Sequence, residues 1–236
     1  MQITAVIPAR LDSSSLPRKP LLDVAGQPLI AKTIEAVSGS MFVDSVIVVA
    51  DSTEIIDAVH DTCVSVLVAD GWCGTDRICQ AMKSGFVPGD LIVNIPCDEP
   101  MLDPNDLDAL IVHMKGKAQD DPRYRAIGTL VAPIGHVVDL SRQHIVKADM
   151  YFGMCVSFGR SEWFSAPYHH VGVYAYYRHT LQRIAKMSQT KRSKKKRLEQ
   201  LTWIDNGMCV DGVEITDAPL AINTQEDYHE LMQRIK

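Results

Sequence analysis

Several features are scarce in this chain of 236 residues, and each scarcity removes a class of protein. Its apolar stretches run to about eight residues, far short of the ~20 that a bilayer-spanning helix needs. No charged region followed by an apolar one opens it; Met1–Ala9 is a short apolar segment that runs into Pro8 and Arg10, so no secretory signal is predicted. None of the six cysteines (Cys63, Cys73, Cys79, Cys97, Cys155, Cys209) stands in a C-x-x-C pair or at zinc-finger spacing from a histidine, which argues against a structural zinc. Scattered single thiols of this kind predict reduced cysteines in a cytoplasmic protein. A basic surplus is also missing: 24 Lys+Arg against 29 Asp+Glu leave a net charge of −5, which argues against a general nucleic-acid binder. What remains is ordinary, with 46% hydrophobic and 22% charged residues, too apolar and too weakly charged for intrinsic disorder.

The N-terminal half alternates two kinds of segment. Ile3–Pro8, Ser45–Ala50, Ser65–Ala69, Leu91–Ile95 and Ala126–Ala132 are β-branched apolar runs without polar alternation, as in strands buried on both faces of a parallel sheet. Between them lie helical patterns. Leu29–Val37 places Leu29, Ile30, Thr33, Ile34 and Val37 on one side, and Thr53–Val59 and Thr75–Met82 open with Ser/Thr caps. Asp103–Met114 opens with Asp-Pro and carries Leu107, Leu110, Ile111 and Met114 on one face. The alternation predicts a doubly wound, Rossmann-like α/β fold with a mostly parallel sheet. Residues 133–180 differ: His144–Lys147, Met154–Phe158 and Val171–Tyr177 read as strands of an inserted mixed-sheet region. Arg178–Met187 and Arg197–Asn206 read as helices, the second stopped by Gly207; Glu214–Ile222 reads as a strand and Gln225–Ile235 as a closing helix. No repeat, low-complexity tract or Gly/Pro/Ser-rich linker divides the chain, so one domain over 1–236 is expected.

Three segments carry chemistry. Ile7–Leu21 follows the first strand, where open α/β folds bind ligands, and its Arg10, Arg18 and Lys19 with a run of serines suit a triphosphate. No G-x-x-x-x-G-K-[ST] is present, and a basic loop alone reads equally as solvated surface. Asn94–Pro100 holds Asp98 and Glu99 at a strand end, a natural Mg²⁺ site or else a capped turn. Cys73-Gly74-Thr75-Asp76-Arg77 turns into a helix whose free N–H groups could meet an anion, or simply be capped.

Ile-Pro-Ala-Arg, Leu-Pro-x-Lys-Pro-Leu, x-Gly-Thr-Asp-Arg and Val-Asn-x-x-x-Asp-Glu-Pro, in that order and spacing, resemble the CMP-Kdo synthetases, the 3-deoxy-manno-octulosonate cytidylyltransferases. The later chain agrees in Val146-Lys147, Phe158, Arg160, His170 to Tyr176, Leu198-Glu199-Gln200-Leu201 and Asn223 to Asp227, so the resemblance covers nearly the whole length. It implies attack by the anomeric hydroxyl of an acidic 2-keto sugar on the α-phosphate of CTP, with pyrophosphate leaving and Mg²⁺ as cofactor. Carried over, Arg10, Lys19 and Asp98 are catalytic. Pro8, Ala9, Arg10, Ser15, Arg18, Lys19, Thr75, Asp76, Arg77, Pro96 and Cys97 line the nucleotide. Arg160, His170, Tyr174, Glu199 and Gln200 contact the sugar acid, and Asp98 and Asn223 hold the metal. A homodimer without nucleic-acid or membrane partners is implied as well.

The chain departs from the family pattern at four places. Ser15 and Arg18 replace an arginine and a glycine; Pro96 and Cys97 replace Gln-Gly; Asn223 replaces a metal carboxylate; and the stretch from Arg160 to His169 is shortened, with His169 where arginine is common. A related synthetase for a sialic-type acid, or a catalytically weak nucleotide- or sugar-binding homologue, therefore stands as an alternative. Lys191–Arg197 is the only dense basic run, and by itself reads as solvated surface or as a patch for an anionic membrane or nucleic acid.

Overall fold

The computed structural model describes residues 1–12, 16–68, 71–120, 126–135, 144–161 and 166–235; Ser15 and Ala69 lie outside the described residues. In chain order the elements are β1 (Ile3–Ala9), a 3-10 turn (Lys19–Leu21), β2 (Asp23–Val24), β3 (Gln27–Pro28), α1 (Leu29–Ser38), β4 (Ser45–Ala50), α2 (Thr53–Val59), β5 (Val64–Leu67), α3 (Gly74–Lys83), β6 (Leu91–Asn94) and α4 (Pro104–Asp120). Then follow β7 (Ile127–Pro133), β8 (Lys147–Tyr151), β9 (Met154–Gly159), β10 (Tyr168–Tyr177), α5 (Arg178–Ile184), α6 (Lys191–Lys196), α7 (Gln200–Asp205), β11 (Val210–Glu214) and α8 (Gln225–Arg234). They form two compact units, Met1–Asp108 with Pro219–Lys236, and Ala109–Ala218. Among the described residues, no helix is long and apolar enough to cross a membrane.

In the first unit the strand order is β5-β4-β1-β6. The neighbours in this order pair in parallel: Ile7 faces Val48, Ile3 faces Leu91 and Ile47 faces Val64. Ala5, Val6, Ile7, Val48, Val49, Ile92 and Val93 are fully buried, which is why these runs lack polar alternation. The helices begin where side chains satisfy orphan N–H groups. Ser52 caps α2, and Thr224 with Asp227 closes a capping box on α8. Leu231 of α8 joins Leu16, Val24, Leu29 and Ile222 in a buried cluster.

The second unit holds a mixed sheet in the order β10-β7-β11-β9-β8. β7 runs antiparallel to β10 and parallel to β11, while β8 and β9 form an antiparallel hairpin. Lys147 of β8 also lies opposite His169 of β10. Trp203 of α7 meets the rings of Tyr174 and Tyr176 edge-on, with centroids 4.9 and 5.8 Å away.

Four sequence expectations are corrected. The mixed sheet extends beyond 133–180, because β7 and β11 belong to it. Glu214–Ile222 is not a strand: Ile215 donates a last N–H to the Val131 carbonyl, and then Pro219, with no N–H, cannot continue the ladder. The apolar Ile222 is used instead in the cluster around Leu231. β8 starts at Lys147 rather than His144, since pairing with β9 sets its extent. The helical run Arg197–Asn206 is broken: Arg197 takes a left-handed conformation at φ +53°, ending α6 and allowing a new start at α7, which Gly207 stops at φ +72°.

Candidate active site

β1 and β6 are parallel neighbours, so the loops leaving their carboxyl ends meet. The first loop brings Lys19 and the second Asp98, and Lys19 Nζ lies 2.6 Å from Asp98 Oδ2. Both side chains are mostly covered, at 11% and 18% exposed. The Asp98 loop is held on three sides. The Ile95 N–H donates to the Val6 carbonyl, the Thr33 hydroxyl donates to the Cys97 carbonyl at 3.0 Å, and the Ile222 N–H donates to the Asp98 carbonyl at 2.9 Å. The last contact places Asn223 beside Asp98 along the chain.

The other residues expected around a nucleotide fall into two groups. Pro8 and Ala9 end β1; Arg10 is exposed just beyond, and the Leu11 N–H is pinned on Asp51 Oδ1 at 2.9 Å. A Cβ on Gly74 would stand 2.9 Å from Pro8 Cγ, so this glycine lets the start of α3 close on the end of β1. Pro96 and Cys97 are half-buried between Asn94 and Asp98. Thr75 and Arg77 instead turn inward, only 2% and 4% exposed. Thr75 Oγ1 accepts from Asn94 Nδ2, and Arg77 donates to the Gly71 carbonyl, so both brace the turn. Asp76 accepts from Gln80 on the same helix. Arg18 is drawn outward into a surface pair with Glu54, and its φ of +55° is the left-handed conformation that suits the family's glycine.

Electrostatics concentrate on the same loop. Burial, then the Asp98 charge, pushes the Cys97 thiol up to about 12. Burial, then Asp98, also raises the Glu99 carboxyl well above its ordinary value, and among the described residues its Oε2 has no hydrogen-bond partner. Among the described residues, no group of three or more His, Cys, Asp or Glu side chains gathers around a metal-sized space. The donor set near Asp98, one carboxylate plus the Asn223 carboxamide, consists of hard oxygens. Such oxygens suit a hard cation of the Mg²⁺ type. Asp227 cannot add a carboxylate there with Oδ2, because that oxygen already accepts the Asn223 and Thr224 N–H groups at 2.9 and 2.7 Å.

The residues expected to meet a sugar acid lie in the second unit. Arg160 follows β9 and donates to the His144 carbonyl at 2.7 Å; burial lowers its pKa. His170, 5% exposed, packs against Phe158 and Tyr174, with centroids 5.0 and 5.4 Å away. Its Nε2 lies 3.0 Å from Thr129 Oγ1, whose proton goes to the Val173 carbonyl at 2.7 Å, so Nε2 carries the hydrogen. Burial first, then His169 and Arg160, pushes the His170 pKa down to about 3, leaving a neutral ring. His169 is likewise lowered to about 4, mainly by burial. Tyr174 packs on Trp203, and Glu199 and Gln200 stand one turn ahead of that tryptophan at the start of α7.

Sequence reasoning missed Thr33, counted there as part of an apolar face; a hydroxyl in such a stripe was the only signal. Lys147, matched to the family motif without a role, is 1% exposed, and its Nζ donates to the carbonyl of Ser161, next to Arg160, at 2.7 Å.

Comparison with known proteins covers the whole chain. A family model described as cytidylyltransferase matches residues 4–215. A 3-deoxy-manno-octulosonate cytidylyltransferase from Chlorobium phaeobacteroides is 34% identical, over 100% of this chain and 97% of the relative. One from Geobacter sulfurreducens is 30% identical over 100% of both. Among solved structures, a CMP:2-keto-3-deoxy-manno-octonic acid synthetase complexed with CTP superposes with a TM-score of 0.87 at 27% identity, covering 100% of this chain and 98% of that one.

Proposed function

The chain belongs to the cytidylyltransferase family, and we propose that it activates an acidic 2-keto sugar, 3-deoxy-manno-octulosonate or a close relative, with CTP and Mg²⁺. The anomeric oxygen forms a bond to the α-phosphorus of CTP. The bond from that phosphorus to the bridging oxygen of the β-phosphate breaks, pyrophosphate leaves, and the anomeric proton passes to solvent.

One observation carries this reading: Lys19 and Asp98 are held together, largely shielded from water, at the carboxyl ends of two adjacent parallel strands. An ammonium fixed there neutralises the charge that builds on the leaving phosphates, a contribution made by position rather than covalent chemistry. Bound Mg²⁺ supplies a Lewis acid toward the phosphate oxygens, and Asp98 and Asn223 are the residues that would hold it. Arg10 adds a solvent-facing cation for the triphosphate, while Thr75 and Arg77 keep the turn before α3 in shape. In the second unit Arg160 offers a cation to the sugar carboxylate. Tyr174, Glu199 and Gln200 offer hydroxyl-binding groups, and the neutral His170 can exchange hydrogen bonds but not charge. A cytoplasmic homodimer completes the proposal, supported by the exposed Tyr151 and Phe152 at the β8–β9 hairpin tip, the latter 86% exposed.

Asn223 is the observation that favours a second reading, a nucleotide-binding homologue with weak catalysis, because a carboxamide brings no charge to the metal. Pyrophosphate release from CTP and Mg²⁺ decides between them, measured with 3-deoxy-manno-octulosonate and with sialic acid, for wild type and Asp98→Ala. Release with the first sugar, lost in the variant, is expected. Release only with sialic acid would move the substrate assignment. Absence of release with either, alongside measurable CTP binding, would leave the second reading.

A further inference from the structure

Charge is distributed very unevenly along this chain. Between Arg178 and Arg197 stand nine Lys or Arg residues and no Asp or Glu. The rest of the chain then holds 15 basic residues against 29 acidic ones, a net charge of −14. The structure turns the positive stretch outward. On α6, Lys191, Arg192, Lys194, Lys195 and Lys196 are all exposed, as are Arg197 beyond it and Arg183 and Lys186 before it.

This segment is held in place. Thr190 caps α6, its hydroxyl bonded to Asp205 Oδ2 at 2.6 Å, and Arg192 pairs with Asp205 Oδ1 at 2.7 Å. Ser193 is fully buried, and Leu198 closes the helix through an N–H to the Ser193 carbonyl. Like charges three and four residues apart, Lys191 with Lys194 and Lys195 and Arg192 with Lys196, work against such a helix. The fold supplies a cap, an ion pair and a buried serine that keep it formed. None of these contacts belongs to the residues assigned to nucleotide, sugar or metal.

We propose that α6 and its basic flanks dock the protein on an anionic phospholipid surface. The chemistry favours that partner over a nucleic acid. Clusters of four to eight Lys/Arg on a short element suffice for a flat anionic bilayer, and they act locally even in a protein that is acidic overall. A duplex binder carries its cations along a stripe and usually a basic surplus across the domain, whereas here six cations crowd onto and just beyond a six-residue helix and the remaining surface is strongly negative. No Phe, Tyr or Trp lies in 178–197 to offer a base a stacking platform, and the one histidine, His179, is stacked on Tyr177. Four of the six α6 residues are lysine, a hydrated point charge suited to phosphate headgroups without base readout. The expectation that no membrane is a partner is thereby revised for this face alone.

The test is co-sedimentation of the full chain with phosphatidylcholine vesicles and with 2:1 phosphatidylcholine:phosphatidylglycerol vesicles, at about 0.1 M and about 0.5 M NaCl. The variant is Lys194→Gln/Lys195→Gln/Lys196→Gln. Binding to the anionic vesicles only, abolished at high salt and weakened by roughly a hundredfold in the variant at about fivefold per cation, is expected. The variant should release pyrophosphate as wild type does, which shows that it is folded. No pelleting with anionic vesicles would overturn the proposal, as would equal binding by the variant. A duplex DNA that binds the wild type more tightly per phosphate than the vesicles do would overturn it in favour of a nucleic-acid surface.

Discussion

Lowering the pH from 7 to 5 should weaken this fold, and His170 contributes a share that can be isolated. His170 is buried among Phe158, Tyr174 and Thr129, and burial, followed by His169 and Arg160, pushes its pKa from 6.5 to about 3. In the unfolded chain the imidazole returns to about 6.5. Between the two values the unfolded state binds more protons than the folded one, so stability rises with pH across that window. It is lost as pH falls below about 6.5, and the loss is complete near pH 3. At pH 5 the unfolded imidazole is almost fully protonated while the folded one is almost fully neutral. One-site linkage puts the cost at about 2 kcal/mol relative to pH 7. Other groups titrate in the same range, so the informative quantity is a difference between proteins. Urea unfolding of wild type and His170→Phe at both pH values measures it. Phenylalanine keeps a ring against Phe158 and Tyr174, and Thr129 keeps Val173 as acceptor. Wild type should lose about 2 kcal/mol more than the variant between pH 7 and pH 5. Equal losses would refute the neutral buried imidazole, whatever the absolute stabilities.

Three further outcomes follow from the nucleotide half. Arg18→Gly relieves a left-handed conformation worth roughly 1–2 kcal/mol to a non-glycine residue and gives up only an exposed pair with Glu54, so urea unfolding should show unchanged or slightly higher stability. Thr33→Val removes the donor to the Cys97 carbonyl and should cost about 1–3 kcal/mol while lowering pyrophosphate release, with Thr33→Ser restoring both. Asn223→Asp adds a carboxylate beside Asp98 and should lower the Mg²⁺ concentration for half-maximal pyrophosphate release; an unchanged metal dependence would remove residue 223 from the metal set.

What was legible in the sequence follows physical lines. β1, β4 and β6 could be read because both faces are buried, and an unbroken apolar run has few other uses. α2 and α8 could be read because their caps are local, as Ser52, Thr224 and Asp227 show. The errors arose where the deciding partner is remote. Leu220 and Ile222 look like strand residues, yet they serve a cluster whose other members include Leu16, Val24 and Leu231. His170 is a different case: its motif suggests ligand contact, and the structure adds a partner the sequence did not disclose, Thr129, 41 residues away and 3.0 Å from its Nε2. Thr33 looked like one more residue on a helix face until Cys97, 64 residues on, supplied its acceptor.

Lys19 and Asp98 are farther apart still, at 79 residues; the sequence set each on a loop just after a buried strand, and the structure pairs them. Parallel register explains this. Ile3 faces Leu91 and Val6 faces Asn94, so the chain leaves both strands at the same edge of the sheet and in the same direction. Any cation in the first loop and any acid in the second are then confined to one short stretch of that edge. Distance along the chain limits what a sequence discloses only where no sheet ties the two ends together. In this fold the parallel sheet makes that tie for the ammonium and the carboxylate assigned to phosphate and metal. The imidazole assigned to the sugar has its position set by packing, which a sequence does not display.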